Sequence, residues 1–155
     1  MSLPPSPRIP NSSVDSGSAT ISISKTPPGA PTPYTQGQLV VRGTWSVDLD
    51  QGVQSQDHAD FFLEQQTEVK RTIVPKNGAT FFVVGIRDFY SVTYPELRRY
   101  NYSSASIDGS NAPYNQLPKG TVVAYKTKEN RLGKFVIDEY GYNLNIRWIT
   151  YANKT

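Results

Sequence analysis

From Thr44 the chain alternates. Trp45, Val47 and Leu49 fall on one side, and Thr44, Ser46 and Asp48 on the other, the two-residue period of a half-buried strand. Asp50-Gln51-Gly52 then supplies a turn. Thr67 to Val74 alternates again, with Val69, Arg71 and Ile73 set against Glu68, Lys70 and Thr72. Pro75-Lys76-Asn77-Gly78 closes that stretch. Ala79 to Ile86, ATFFVVGI, is a continuous apolar run of strand length, which predicts a central, well-buried strand.

Thr93-Tyr94-Pro95-Glu96 has the form of a capping box, with Thr93 as N-cap, Glu96 at the third position and Pro95 in the first turn. The short helix it starts would turn Leu97 toward the core and leave Arg98 and Arg99 mostly outside. Residues 101–118 read as a long polar loop. TVVAYKT, LGKFVIDEY and LNIRWITY then form three strands rich in Val, Ile, Tyr, Phe and Trp, joined by short turns, an antiparallel meander. The fold class is all-β: an antiparallel sandwich or barrel-like sheet with one short helix.

Eight of the twelve prolines lie in residues 1–33, mixed with Ser, Thr and Gly. Such a stretch buries too little apolar surface to offset its chain entropy, so residues 1–36 are expected to form an extended arm. One part of it departs from this composition. Ser18 to Ser24, SATISIS, alternates Ala19, Ile21 and Ile23 against Thr20, Ser22 and Ser24. It reads either as a first strand paired locally or as a strand that adds to the sheet of a neighbour. Residues 37–155 are the single all-β domain.

The net charge is +3 and the pI about 9.1, with basic residues scattered rather than gathered on one face. That distribution argues against nucleic acid as a partner. No apolar run approaches the length of about 18 residues that a membrane span needs. The chain has no cysteine, which removes disulfides and thiolate chemistry. MSLPPSPRIP lacks the apolar core of an intact secretory signal. Localisation stays open, with an extracellular or periplasmic setting favoured over the cytoplasm.

The candidate chemistry is sparse. His58 is the only histidine, flanked by Asp57 with Asp60 and Glu64 close behind. A zinc site needs three or four ligands from Cys, His and carboxylate, and Asp57 and His58 would point to opposite faces of a strand. The stretch reads as a polar edge, with Phe61 or Phe62 as its core anchor. Asp48 and Asp50 would share a strand face about 7 Å apart, a carboxylate spacing glycoside hydrolases use, but Gly52 marks them as turn-flanking residues. No nucleophile elbow, phosphate loop or dinucleotide fingerprint occurs. No catalytic residue, metal or cofactor is expected, and the chain reads as a non-enzyme.

GTWSVDLDQG, the D-F-F strand, VPKNGAT and the closing GTVVAYKTKENRLGKFVIDEYGYNLNIRW follow one another in an order that resembles a group of uncharacterised bacterial β modules. The order is also distantly similar to HmuY-like haem-binding β proteins. The resemblance covers about residues 38–151 and implies a β domain with core aromatics and turn glycines. Haem capture in that family rests on axial ligands, often paired histidines. This chain has one histidine, and its one methionine is Met1.

Tyrosine is the stronger signal. Tyr100, Tyr102 and Tyr114 sit in or beside the polar loop with Asn101, Asn111 and Asn115, a composition suited to recognition. The sequence therefore points to protein–protein interaction, in a structural or accessory subunit of a larger assembly or a homo-oligomer. Ile21 and Ile23 would anchor the arm on a neighbour, and Tyr100, Tyr102, Tyr114 and Asn115 would supply a second contact surface. The alternative is a domain that binds a small ligand or glycan through the same loop aromatics.

Overall fold

The computed structural model describes residues 32–67, 70–109, 117–141 and 143–154. Ile21, Ile23, Tyr114 and Asn115 lie outside the described residues. Residues Pro31–Thr155 make one compact unit. Its described residues form ten strands: β1 (Pro33–Val41), β2 (Ser46–Asp48), β3 (Val53–Gln54), β4 (Phe61–Gln65), β5 (Arg71–Pro75), β6 (Thr80–Ile86), β7 (Ile107–Asp108), β8 (Thr121–Lys126), β9 (Arg131–Tyr140) and β10 (Leu144–Lys154). A 3-10 turn (Phe89–Ser91) and the helix α1 (Tyr94–Leu97) stand between β6 and β7.

The strands form two five-stranded antiparallel sheets, ordered β1-β10-β9-β8-β6 and β3-β2-β4-β5-β7. Between them lies a shared core. Phe61, Leu63 and Ile73 of the second sheet meet Phe81, Val123, Tyr125, Phe135, Ile137 and Ile146 of the first. The architecture is a sandwich. Phe61 is the anchor of the D-F-F stretch: its ring lies edge-on to Phe81 at 6.0 Å and tilted against Phe135 at 5.9 Å. Aromatic pairs of this kind contribute about 0.5–1.5 kcal/mol each beyond the area they bury.

The meander β8-β9-β10 follows from its sequence. Phe135 of β9 pairs with Val123 on one side and Trp148 on the other. The β8–β9 turn holds Asn130 at φ 66°, a left-handed conformation that Asn tolerates. The first strand starts at Pro33, ahead of Gly37, because Pro33 to Val41 has a full-length partner in β10. Trp148 of β10 explains two glycines. Its ring packs on Gly37, directly across in β1, and against Gly52, where a Cβ would enter the indole.

Two expectations about burial are corrected. ATFFVVGI forms β6 at the edge of its sheet rather than the centre. Phe81 points into the core, Phe82 stacks on Tyr100 at 4.5 Å, and Ile86 is 68% exposed. The run is apolar because both its faces are partly covered; on its outer edge only Phe81 is paired, in an isolated bridge with Ser103. Trp45 does not share the buried face of Val47 and Leu49. Thr44 takes φ 70°, which breaks the alternation before β2 begins and leaves Trp45 exposed under the Arg42 guanidinium at 5.6 Å.

Part of the outer face of the first sheet is buried too. Residues 88–97 lie across it, placing Phe89, Val92, Tyr94 and Leu97 out of water. Tyr94 packs edge-on to Tyr151 of β10 at 5.3 Å. The capping box forms: Thr93 Oγ1 accepts from the Glu96 N–H, and Glu96 Oε1 accepts from the Thr93 N–H. Arg98 and Arg99 stay exposed.

Candidate functional site

β1 runs along the edge of the first sheet and reads PYTQGQLVV. It carries no charged residue. Among the described residues β10 is its only strand neighbour, so its outer side has no partner strand. Natural edge strands are ordinarily protected by charge, shortness or cover, and this one is nine residues long. Val40 is 52% exposed, and Tyr34 is exposed at its rim with Arg131 against its ring at 3.8 Å.

The edge of the second sheet reaches the same side of the sandwich. The Arg42 N–H donates to Gln54 Oε1 of β3 at 3.0 Å, which ties the end of β1 to the β3 edge. Val40, Trp45 and Val53, all exposed, lie within three residues of that link in sequence. A neutral strand edge flanked by Val, Trp and Val can receive an extended peptide, with backbone hydrogen bonds for affinity and apolar side chains for selection. On the outer face beside β1, a cleft of about 370 Å³ is lined by Gln36, Gln38, Phe89, Tyr90, Arg147 and Ile149. Arg147 is already committed there, bidentate to Asp138 at 2.9 Å on both nitrogens.

Tyr100 and Tyr102 turn toward the body of the domain. Tyr100 stacks on Phe82 and donates to Glu96 Oε2 at 3.2 Å, and Tyr102 donates to the Leu97 carbonyl at 2.5 Å. Burial pushes both phenols up. Glu96 also binds Arg87 Nη1 at 2.7 Å, and that bond holds its carboxyl down at about 2. A smaller cleft of about 250 Å³ beside the two tyrosines is bounded by Arg98, Lys126 and Leu132.

His58 is exposed in the turn before β4, where its backbone N–H donates to Ser55 Oγ at 3.3 Å. It lies apart from the real concentration of charge. Asp48, Asp50 and Asp60 are buried together, with one carboxylate oxygen from each inside a 4.8 Å cluster. Asp48 and Asp50 are thus not a pair set apart on a strand face. The Lys128 ammonium stands among all three, 2.8 Å from Asp48 Oδ1, 3.1 Å from Asp50 Oδ2 and 3.3 Å from Asp60 Oδ2. The seat such carboxylates would offer a metal cation is held by this chain's own ammonium.

The remaining bonds fix each acid. Asp48 Oδ1 accepts from the N–H groups of Asp50 at 2.9 Å and Gln51 at 3.2 Å. Asp50 Oδ1 accepts from Thr127 Oγ1 at 2.8 Å and Arg131 Nη1 at 3.1 Å. Asp60 accepts from the Leu49 and Lys128 N–H groups at 2.6 and 2.7 Å. Burial pushes the Asp60 carboxyl up to about 6, against the lowering pull of Lys128. Burial would lower the Lys128 amine, but hydrogen bonds and charge from the three acids hold it above its ordinary range. In sequence, residues 128–131 are one of the short turns of the meander. The partners lie 68 to 81 positions away, and no local pattern announces them.

No family model, curated protein or solved structure matches the chain.

Proposed function

We propose that this domain is a non-catalytic protein-interaction module, a structural or accessory subunit of a larger assembly, that receives an extended strand along β1. The observation that carries the reading is the uncharged, nine-residue edge of β1 with exposed Val40 at its end. The strand it receives is Ser18–Ser24 of a second copy, the segment of the arm with a strand-like alternation. Ile21 and Ile23 are its anchors, and the arm gains order on docking. Exposed Trp45 and Val53 extend the contact beyond β1, with Trp45 the residue type that most often dominates an interface.

Light scattering of the full chain beside a chain begun at Thr32 tests this. The full chain is expected to show a concentration-dependent oligomer, and the shortened chain a folded monomer. Equal mass for both would refute it.

A second reading, capture of a small ligand or glycan, is supported by the cleft beside β1, where Gln36 and Gln38 face Phe89 and Tyr90. A ligand that binds only the folded state raises the melting temperature. A flat response across a glycan panel would remove this reading.

A further inference from the structure

We propose that Lys128 and Asp48 join in an intramolecular amide bond, an isopeptide link between the two sheets. Lys128 stands in the β8–β9 turn of the first sheet and Asp48 at the end of β2 in the second, 80 positions apart. The nucleophile and the carboxylate are already in contact at 2.8 Å. The Asp48 side chain is 7% exposed and that of Lys128 12%, so little water competes. Held reactants of this kind reach effective molarities on the order of 10⁵–10⁸ M, which turns amide condensation into a feasible slow step.

The hydrogen bonds select the acid that reacts. Both oxygens of Asp50 are engaged, one by Thr127 and Arg131 and the other by Lys128, so neither is free to leave as water. Both oxygens of Asp60 are engaged as well, by the Leu49 and Lys128 N–H groups and the ammonium. Asp48 differs. Its Oδ1 sits in a cradle of two backbone N–H groups, those of Asp50 and Gln51, the arrangement that stabilises a developing oxyanion.

The step balances without a further reagent. Asp60 takes one proton from the Lys128 ammonium and passes it to Asp48 Oδ2, leaving a neutral amine beside a neutral acid. The nitrogen lone pair attacks Asp48 Cγ, and the negative charge forms on Oδ1 in its cradle. A second proton passes from nitrogen through Asp60 to Oδ2, which departs as water as the carbonyl re-forms. One of the three ammonium hydrogens stays on the amide and two leave in the water. The three acids favour the charged amine, so the neutral form is the minor one and the reaction is slow and occurs once per chain. Its product is a covalent staple between sheets in a chain that has no cysteine to make one.

Intact-mass spectrometry of the full chain, held folded at neutral pH, tests the proposal. The wild-type chain is expected one water lighter than its sequence mass, with tandem spectra placing the link between Lys128 and Asp48. Lys128→Arg and Asp48→Ala are expected at their full sequence masses. Asp60→Asn is expected to convert at least ten-fold more slowly. A wild-type chain that keeps its full mass after prolonged incubation overturns the proposal whether or not the variants fold. A link mapped to another pair, or an undiminished rate in Asp60→Asn, overturns the assignment of roles.

Discussion

Lys134 Nζ donates a hydrogen bond to the carbonyl oxygen of Phe89 at 2.6 Å from a side chain that is 1% exposed. A second bond reaches the Val92 carbonyl at 2.8 Å, and the ammonium lies 4.7 Å from the Phe89 ring centre. Among the described residues no carboxylate bonds to it. Lys134 thus satisfies the carbonyls at both ends of the turn that crosses the outer face of the first sheet.

Lys134→Met keeps the volume and removes the donors. Two buried carbonyls are then left unpaired, each costing about 1–3 kcal/mol, while removal of a desolvated charge returns part of that. Equilibrium urea unfolding is expected to show a net loss of about 2–4 kcal/mol. Wild-type stability in the variant would mean that residues 88–97 are held by their apolar side chains alone.

The same residue sets a pH dependence. Burial lowers its amine from 10.5 to about 8, so the folded protein binds fewer protons than the unfolded chain between those values. Stability must then rise with pH in that window. The buried phenols oppose this near pH 10 and above, since burial raises Tyr102, Tyr125 and Tyr140 in the folded state. Melting temperature is expected to climb from pH 8 to 9.5 in the wild type and to stay level in Lys134→Met.

Gly52→Ala and Gly78→Ala separate backbone strain from collision. Both glycines have positive φ, 71° and 87°. A Cβ at Gly78 meets nothing within 4 Å, whereas one at Gly52 enters the Trp148 ring. Gly78→Ala is expected to cost about 1–2 kcal/mol for the left-handed backbone, and Gly52→Ala about 2–4 kcal/mol with overpacking added. Chemical denaturation of the two variants side by side checks the order.

His58→Ala is expected to change stability by less than about 0.5 kcal/mol, as surface substitutions do. A larger loss by thermal unfolding would show that the exposed ring has a partner.

How much of this was legible in the sequence depends on how local the cause is. The capping box at Thr93 and the three-strand meander are fixed by neighbours a few residues apart, and both appear as read. The D-F-F stretch was legible as a core anchor at Phe61 or Phe62, and the packing of the two sheets decides for Phe61. The edge position of β6 was not, since an apolar run reports covered faces and says nothing of strand order. The cluster around Lys128 was missed for the same reason. In sequence Asp48 and Asp50 read as a turn-flanking pair and Asp60 as part of the polar edge around His58, and only the packing of one sheet on the other brings them to one ammonium.

Trp45→Ala is expected to leave the unfolding transition within about 0.5 kcal/mol, because the ring is exposed. It is expected to weaken self-association of the full chain by 2 kcal/mol or more, in the range of about 2–4 kcal/mol typical of an interface anchor. Sedimentation equilibrium reads this directly, and unchanged association would remove Trp45 from the contact.

Hydrogen exchange at the β1 amides from Thr35 to Val40 is the most direct measurement of strand addition. A strand docked along the free edge of β1 shields the amides that point away from β10. In the full chain these are expected to exchange slowly, with protection that grows with protein concentration and disappears in the chain begun at Thr32. Equal exchange in both chains at all concentrations would contradict the assembly reading.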